Sequence, residues 1–163
     1  GKDRSMKAEH ANVFIRSAVE VFRKELGISL SRESLKRKET PVPSLPVSIV
    51  LGITGAMRGQ VVYSMDHSFA DEITHVMVPN KLPSERRKLV NSAVGEIGNM
   101  VTGQASIALA GQDNILHLTP PAVFTGKDLT VDFLQVPTVC LRLLSEMGML
   151  EINIGLIESE VSS

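Results

Sequence analysis

Glu96 and Asn99 are the residues whose types and spacing best fit a shared chemical task. Side chains three apart on a helix are surface neighbours, so this carboxylate and carboxamide could act together on one object. They lie in the run Asn91-Ser92-Ala93-Val94-Gly95-Glu96-Ile97-Gly98-Asn99-Met100-Val101-Thr102-Gly103. A glycine inside a helix costs about 1 kcal/mol against alanine, yet this run carries Gly95, Gly98 and Gly103. On a wheel of about 100° per residue, Gly95 and Gly103 fall on the side of Glu96 and Asn99. The pair then stands over a floor without side chains, where another backbone can approach closely. Spacing alone is also met by a solvated helix face whose glycines merely permit tight packing.

Other chemistries lack their parts. Cys140 is the only cysteine, which excludes an internal disulfide and a cysteine-built zinc site. Its setting, Val139-Cys140-Leu141, reads as a buried structural thiol. His10, His67, His75 and His117 are scattered without metal-ligand spacing. No serine sits in a Gly-x-Ser-x-Gly elbow. The glycines between Gly52 and Gly59 lack the Lys-Ser/Thr of a phosphate loop, so a hairpin turn explains them better. Lys36, Arg37 and Lys38 form a short basic run, read as part of a solvated connection over residues 31–40 rather than a phosphate contact.

The elements that would position the pair follow from periodicity. Val13, Phe14, Ala18, Val21, Phe22 and Leu26 recur at helical spacing over Ala8–Leu26, with Gly27 as a stop. Val47–Ile53 and Gln60–Met65 read as a hairpin with a longer loop over Thr54–Gly59. A helix is expected over Phe69–Val78, capped by Asp66 or Ser68. A long helix should run from Ser84 to Ala110, with Val90, Ala93, Val94, Ile97, Val101, Ala105 and Ala108 as its core stripe and Ser92, Glu96 and Asn99 facing outward. Strands are expected near Ile115–Leu118, Leu129–Gln135, Thr138–Ser145 and Met149–Ile157. Antiparallel-looking strand pairs interrupted by two or three helices predict an α+β fold, a mostly antiparallel sheet with helices packed on it.

Bulk properties agree. The chain's 163 residues, 43% hydrophobic and 21% charged, suit one domain over residues 6–163. Gly1–Ser5, ahead of Met6, read as an expression-tag remnant. A net charge of −1 gives no broad footprint for nucleic acid or an anionic membrane. No apolar run approaches the roughly 20 residues of a membrane span, and nothing reads as a signal peptide. The cytoplasm is the expected compartment.

The pattern Ser92-x-x-x-Glu96-x-x-Asn99, followed by Gly103, resembles the active-site signature of the CheC/CheX/FliY chemotaxis phosphatases. Leu51-Gly52-Ile53-Thr54-Gly55, Gly59-Gln60-Val61-Val62-Tyr63-Ser64, Thr119-Pro120-Pro121 and Gly126-Lys127-Asp128-Leu129 resemble the CheX branch in the same order. The resemblance implies a CheC-like fold and a hydrolase that removes the phosphoryl group from the aspartate of a phosphorylated, CheY-like response regulator. It implies that Asn99 orients the attacking water and that Glu96 pairs with a lysine of the regulator. Ser92, Gly95 and Gly103 would shape the docking face. The chain itself would need no cofactor or metal, since the Mg2+ ion would belong to the regulator. CheC-type members carry two signatures, but here the first helix has Arg23 where the second Asn would stand, so one site is expected. The branch also implies a homodimer.

Two rival readings keep parts of this picture. A non-catalytic module of the same fold would bind regulators without dephosphorylating them. A purely structural dimerisation domain would bind no receiver domain in a phosphorylation-dependent way.

Overall fold

The computed structural model describes residues 8–38, 42–111, 115–133 and 136–159; the tag-like Gly1–Ser5 lie outside them. Alternating apolar residues build an antiparallel sheet whose inner face carries Ile49, Leu51, Val61, Tyr63, Leu141, Leu143, Ile152 and Ile154, all buried. Its strands are β1 (Ser31–Lys38), β3 (Val47–Gly55), β4 (Met57–Met65), β5 (Leu116–Leu118), β6 (Ala122–Thr125), β8 (Thr138–Leu144) and β9 (Met149–Glu158). They run in the order β1-β8-β9-β4-β3-β5, and β6 also pairs with β3. β2 (Val42–Pro43) and β7 (Thr130–Val131) form a separate two-stranded ladder. The α+β architecture is the expected one.

Among the described residues the sheet is joined by four α-helices: α1 (Ala8–Val21), α2 (His67–Met77), α3 (Pro83–Arg87) and α4 (Val90–Ala110). α1 and α2 flank α4, which lies on β3. α1 continues into a wider turn over Phe22–Leu26, closed by Gly27 at φ +66°, a backbone position that glycine takes without strain.

Several boundaries differ from the sequence reading, each for a local reason. Residues 31–38 form β1 rather than a solvated connection. An edge strand needs only backbone pairing on one side, here with β8, and its charges deter further strand addition. The expected loop over Thr54–Gly59 shrinks to a turn at Ala56, because each strand finds a second partner. Thr54 and Gly55 pair with β5, and Met57 and Arg58 pair with β9.

The single helix expected from Ser84 is two helices, α3 and α4, separated at Lys88-Leu89. Ser84 is not the cap. α3 starts with Pro83, and the Leu82 amide donates to Glu85 Oε2 at 3.3 Å. At the far end of α4 the stripe drifts, leaving Ala108 exposed while Ala110 is buried. β7 covers only part of the strand expected at Leu129–Gln135, whose Leu134 and Gln135 lie outside the described residues.

The sheet's other face is more polar. Ser48, Ser64, Cys140, Glu151 and Asn153 are buried there. Arg142 Nε donates to Glu151 Oε1 at 2.7 Å, and Phe133 closes over Gly155, where even a methyl group would strike the ring at 2.7 Å. Cys140 is therefore a buried thiol.

Candidate active site on the long helix

α4 buries Val94, Ile97, Val101 and Ala105, a stripe about as wide as an amphipathic helix needs. That burial fixes which residues face water: Ser92, Glu96 and Asn99 are exposed on the other side. Glu96 and Asn99 are thus presented outward, one turn apart, on a helix anchored along its length.

The anchoring is tightest beside Asn99. A Cβ on Gly98 would stand 3.0 Å from Ile49 Cγ2 and 3.5 Å from Leu51 Cδ1 and Tyr63 Cδ2, so the absent side chain seats the helix directly on β3 and β4. One turn later, Thr102 Oγ1 donates to the Gly98 carbonyl at 2.7 Å and lies 2.7 Å from Tyr63 Oη. The threonine proton is committed to the carbonyl, so the tyrosine hydroxyl donates to Oγ1. Burial pushes the Tyr63 phenol well above its ordinary value, against a smaller opposing effect of the Thr102 bond, and it stays a neutral donor. Sequence reasoning missed this clamp because Tyr63 and Thr102 are far apart in the chain and neither stands out alone.

The floor around the pair differs at its two ends. Gly103 is open, with nothing within 4 Å of a built Cβ. Gly95, expected on the same open floor, is buried. A Cβ there would meet Pro121 Cγ at 3.6 Å and Val123 Cγ2 at 3.7 Å. The Pro121–Val123 segment covers Gly95 at distances that a methyl group would meet as ordinary contacts. That segment, with Asn91, Ser92, Gly95 and Glu96, borders a shallow hollow of about 390 Å³. Thr119 holds the segment in place: its amide donates to the Gly52 carbonyl at 3.0 Å, and its Oγ1 accepts from the Gly52 amide at 2.8 Å.

On α1, Glu20 accepts a hydrogen bond from Gln104 Nε2 at 3.0 Å, and Arg23 is exposed in the wide turn. The Glu20 carboxylate, three residues before Arg23, is thus tied to α4. Among the described residues, no three His, Cys, Asp or Glu side chains gather into a metal-holding group.

Replacing Gly103 with alanine should separate two roles of the floor. With open space around the new methyl and better helix propensity, stability should rise by roughly 0.5–1 kcal/mol. If a partner's backbone approaches there, the KM for that partner should rise as well. Thermal unfolding and steady-state kinetics on one variant measure both.

A helix-covered antiparallel sheet that presents a glutamate and an asparagine one turn apart to solvent is the arrangement the CheC/CheX/FliY resemblance implies. The family described as chemotaxis phosphatase CheX matches residues 47–144, and the chain belongs to that family. A curated relative, the CheY-P phosphatase CheX of Thermotoga maritima, is 32% identical over 130 residues, covering 77% of this chain and 81% of the relative. The crystal structure of chemotaxis protein CheX from Vibrio vulnificus superposes with a TM-score of 0.77 at 30% identity, covering 91% of this chain and 99% of that one. CheX of Borrelia burgdorferi, in a crystallised CheX–CheY–BeF3–Mg2+ complex, shares the fold with a TM-score of 0.77 at 19% identity, covering 93% of this chain and all of that one.

Proposed function

We propose that this protein is a phosphatase of a phosphorylated, CheY-like response regulator. One observation carries the reading: Glu96 and Asn99 stand exposed, one turn apart, on a helix clamped to the sheet. Family membership and the Thermotoga maritima relative's description support it.

In this reading the regulator docks over α4 with its phosphoaspartate facing Asn99. An acyl phosphate is already reactive, so catalysis consists mainly of positioning a water in line with the leaving carboxylate. The carboxamide of Asn99 both accepts and donates, and its neutrality avoids repelling the phosphoryl oxygens. The carboxylate of Glu96 is tolerated there only beside a cation, which a lysine of the regulator supplies. The water's oxygen bonds to phosphorus, the phosphorus–carboxylate bond breaks, and phosphate leaves with the aspartate restored. Mg2+ sits in the regulator, and this chain needs no metal of its own. Ser92 and Gly103 border the docking surface. The same reading includes a homodimer, as the CheX resemblance implies, and the cytoplasm expected from the sequence; no helix of the described residues is long and apolar enough to cross a membrane.

Phosphate release, followed with a panel of phosphorylated receivers from the source organism, tests the reading. Faster decay of one cognate receiver is expected; binding without faster decay would leave the non-catalytic module in its place. Glu96→Ala should act chiefly on docking. Removing a charge-paired contact costs on the order of 2 kcal/mol, so KM should rise about 10- to 100-fold. A fall confined to kcat would assign Glu96 a different role.

A further inference from the structure

Along α4, the outward stripe does not end at Gly103. Ile107 lies eleven residues beyond Glu96, which at about 100° per residue brings it back within about 20° of the same line. It is 78% exposed. Across a shallow hollow bordered by Ser106, Ala110, Gly111 and Leu116 stands Ile115, 71% exposed. Single exposed apolar residues are ordinary on protein surfaces. Here two β-branched ones border one hollow, and isoleucine at a solvent-facing helix position has no propensity advantage over the polar residues it displaces.

Building on the docking reading above, we propose that Ile107 and Ile115 form an apolar anchor for the phosphorylated regulator. The anchor would bind a complementary apolar patch on the regulator beside its phosphoaspartate. Continuity with the site identifies the occupant. A partner seated over Glu96 and Asn99 lies along the same face of the same helix. At about 1.5 Å per residue, Ile107 is roughly 16 Å from Glu96. A standard interface covers about 800 Å² per partner, a patch roughly 16 Å in radius, so one docked regulator spans both. The division of labour is physical. Glu96 and Asn99 are polar and act on the phosphoryl group and its lysine, whereas binding strength usually comes from a few desolvated side chains of large apolar area. Gly103 lies between the two and keeps the intervening surface low.

Ile107→Ser and Ile115→Ser, separately and together, test the anchor with the full-length chain. Two measurements are made: steady-state dephosphorylation of the cognate regulator, and equilibrium binding of the beryllofluoride-charged regulator. The expected result is a KM and a Kd each raised about tenfold or more in the double variant. kcat should stay within about twofold, and thermal unfolding should be unchanged because both residues are exposed. Unaltered KM and Kd would overturn the anchor, as would a loss confined to kcat. So would a variant whose only change is in sedimentation, since the patch would then belong to a second copy of this chain. If the wild type binds the charged regulator but accelerates no decay, the dephosphorylation reading fails, and the binding measurement alone still decides the anchor. If the wild type binds no regulator, both fail.

Discussion

Asn99→Ala should reduce the acceleration of regulator dephosphorylation by about 10²- to 10³-fold, the usual loss when one positioned hydrogen-bonding group is removed from a reacting centre. The fold should survive, because Asn99 is exposed and alanine is the better helix former. Binding should survive too, since the contacts assigned to docking lie elsewhere on α4. Rapid-mixing measurement of phosphoregulator decay at saturating enzyme isolates the chemical step. A pull-down with the beryllofluoride-charged regulator confirms that the complex still forms. Asn99→Asp sharpens the result: its shape is nearly unchanged, but its charge opposes the phosphoryl group, so activity should not return. Decay at the wild-type rate with either variant would remove Asn99 from the chemistry.

The second large effect is expected one residue earlier, on the buried face of the helix. At Gly98 a single methyl would press on Ile49 at 3.0 Å, and the two further methyls of valine would enter space held by Leu51 and Tyr63. Gly98→Val should destabilise the protein by about 2–4 kcal/mol, combining overpacking with a strained seat for the helix. It should also lower activity, because lifting the helix off β3 and β4 moves Asn99. Displacement of about 1 Å is enough to cost a factor on the order of 10² in a reaction that depends on orientation. Gly98→Ala should be close to neutral, its gain in propensity offsetting the tight contact with Ile49. Urea unfolding and the decay assay on the two variants give the comparison. A fully stable Gly98→Val protein would mean that α4 is less tightly seated than its contacts indicate.

How much of this was legible in the sequence depends on what each signal needed. The last hairpin of β8 and β9 and the outward placement of Glu96 and Asn99 rest on long, regular alternation, and both stand in the structure. β1 was missed because an edge strand is defined by the backbone of its neighbour, and its side chains Arg32, Glu33, Lys36 and Arg37 read as a solvated run. The separation of α3 from α4 carries no Gly or Pro to announce it. Gly95 was misjudged for a different reason: the wheel placed it on the side of Glu96 and Asn99, and what covers it is Pro121 and Val123, brought over by the pairing of β6 with β3. The clamp of Tyr63 on Thr102 joins two segments that no local pattern connects.

The openness of the face around Gly103 bears on how this protein could be blocked. A drug-sized molecule binds by filling a concavity that encloses about 70–90% of its surface; the hollow beside Glu96 is shallow, and the bare helix side around Gly103 gives little to grip. A long amphipathic peptide or a second protein, laid along α4 from Ser92 to Ile107, could cover the pair by competing for area rather than by occupying a hole. In the docking reading proposed above, any residue on this face that repelled such a blocker would stand in the regulator's path as well.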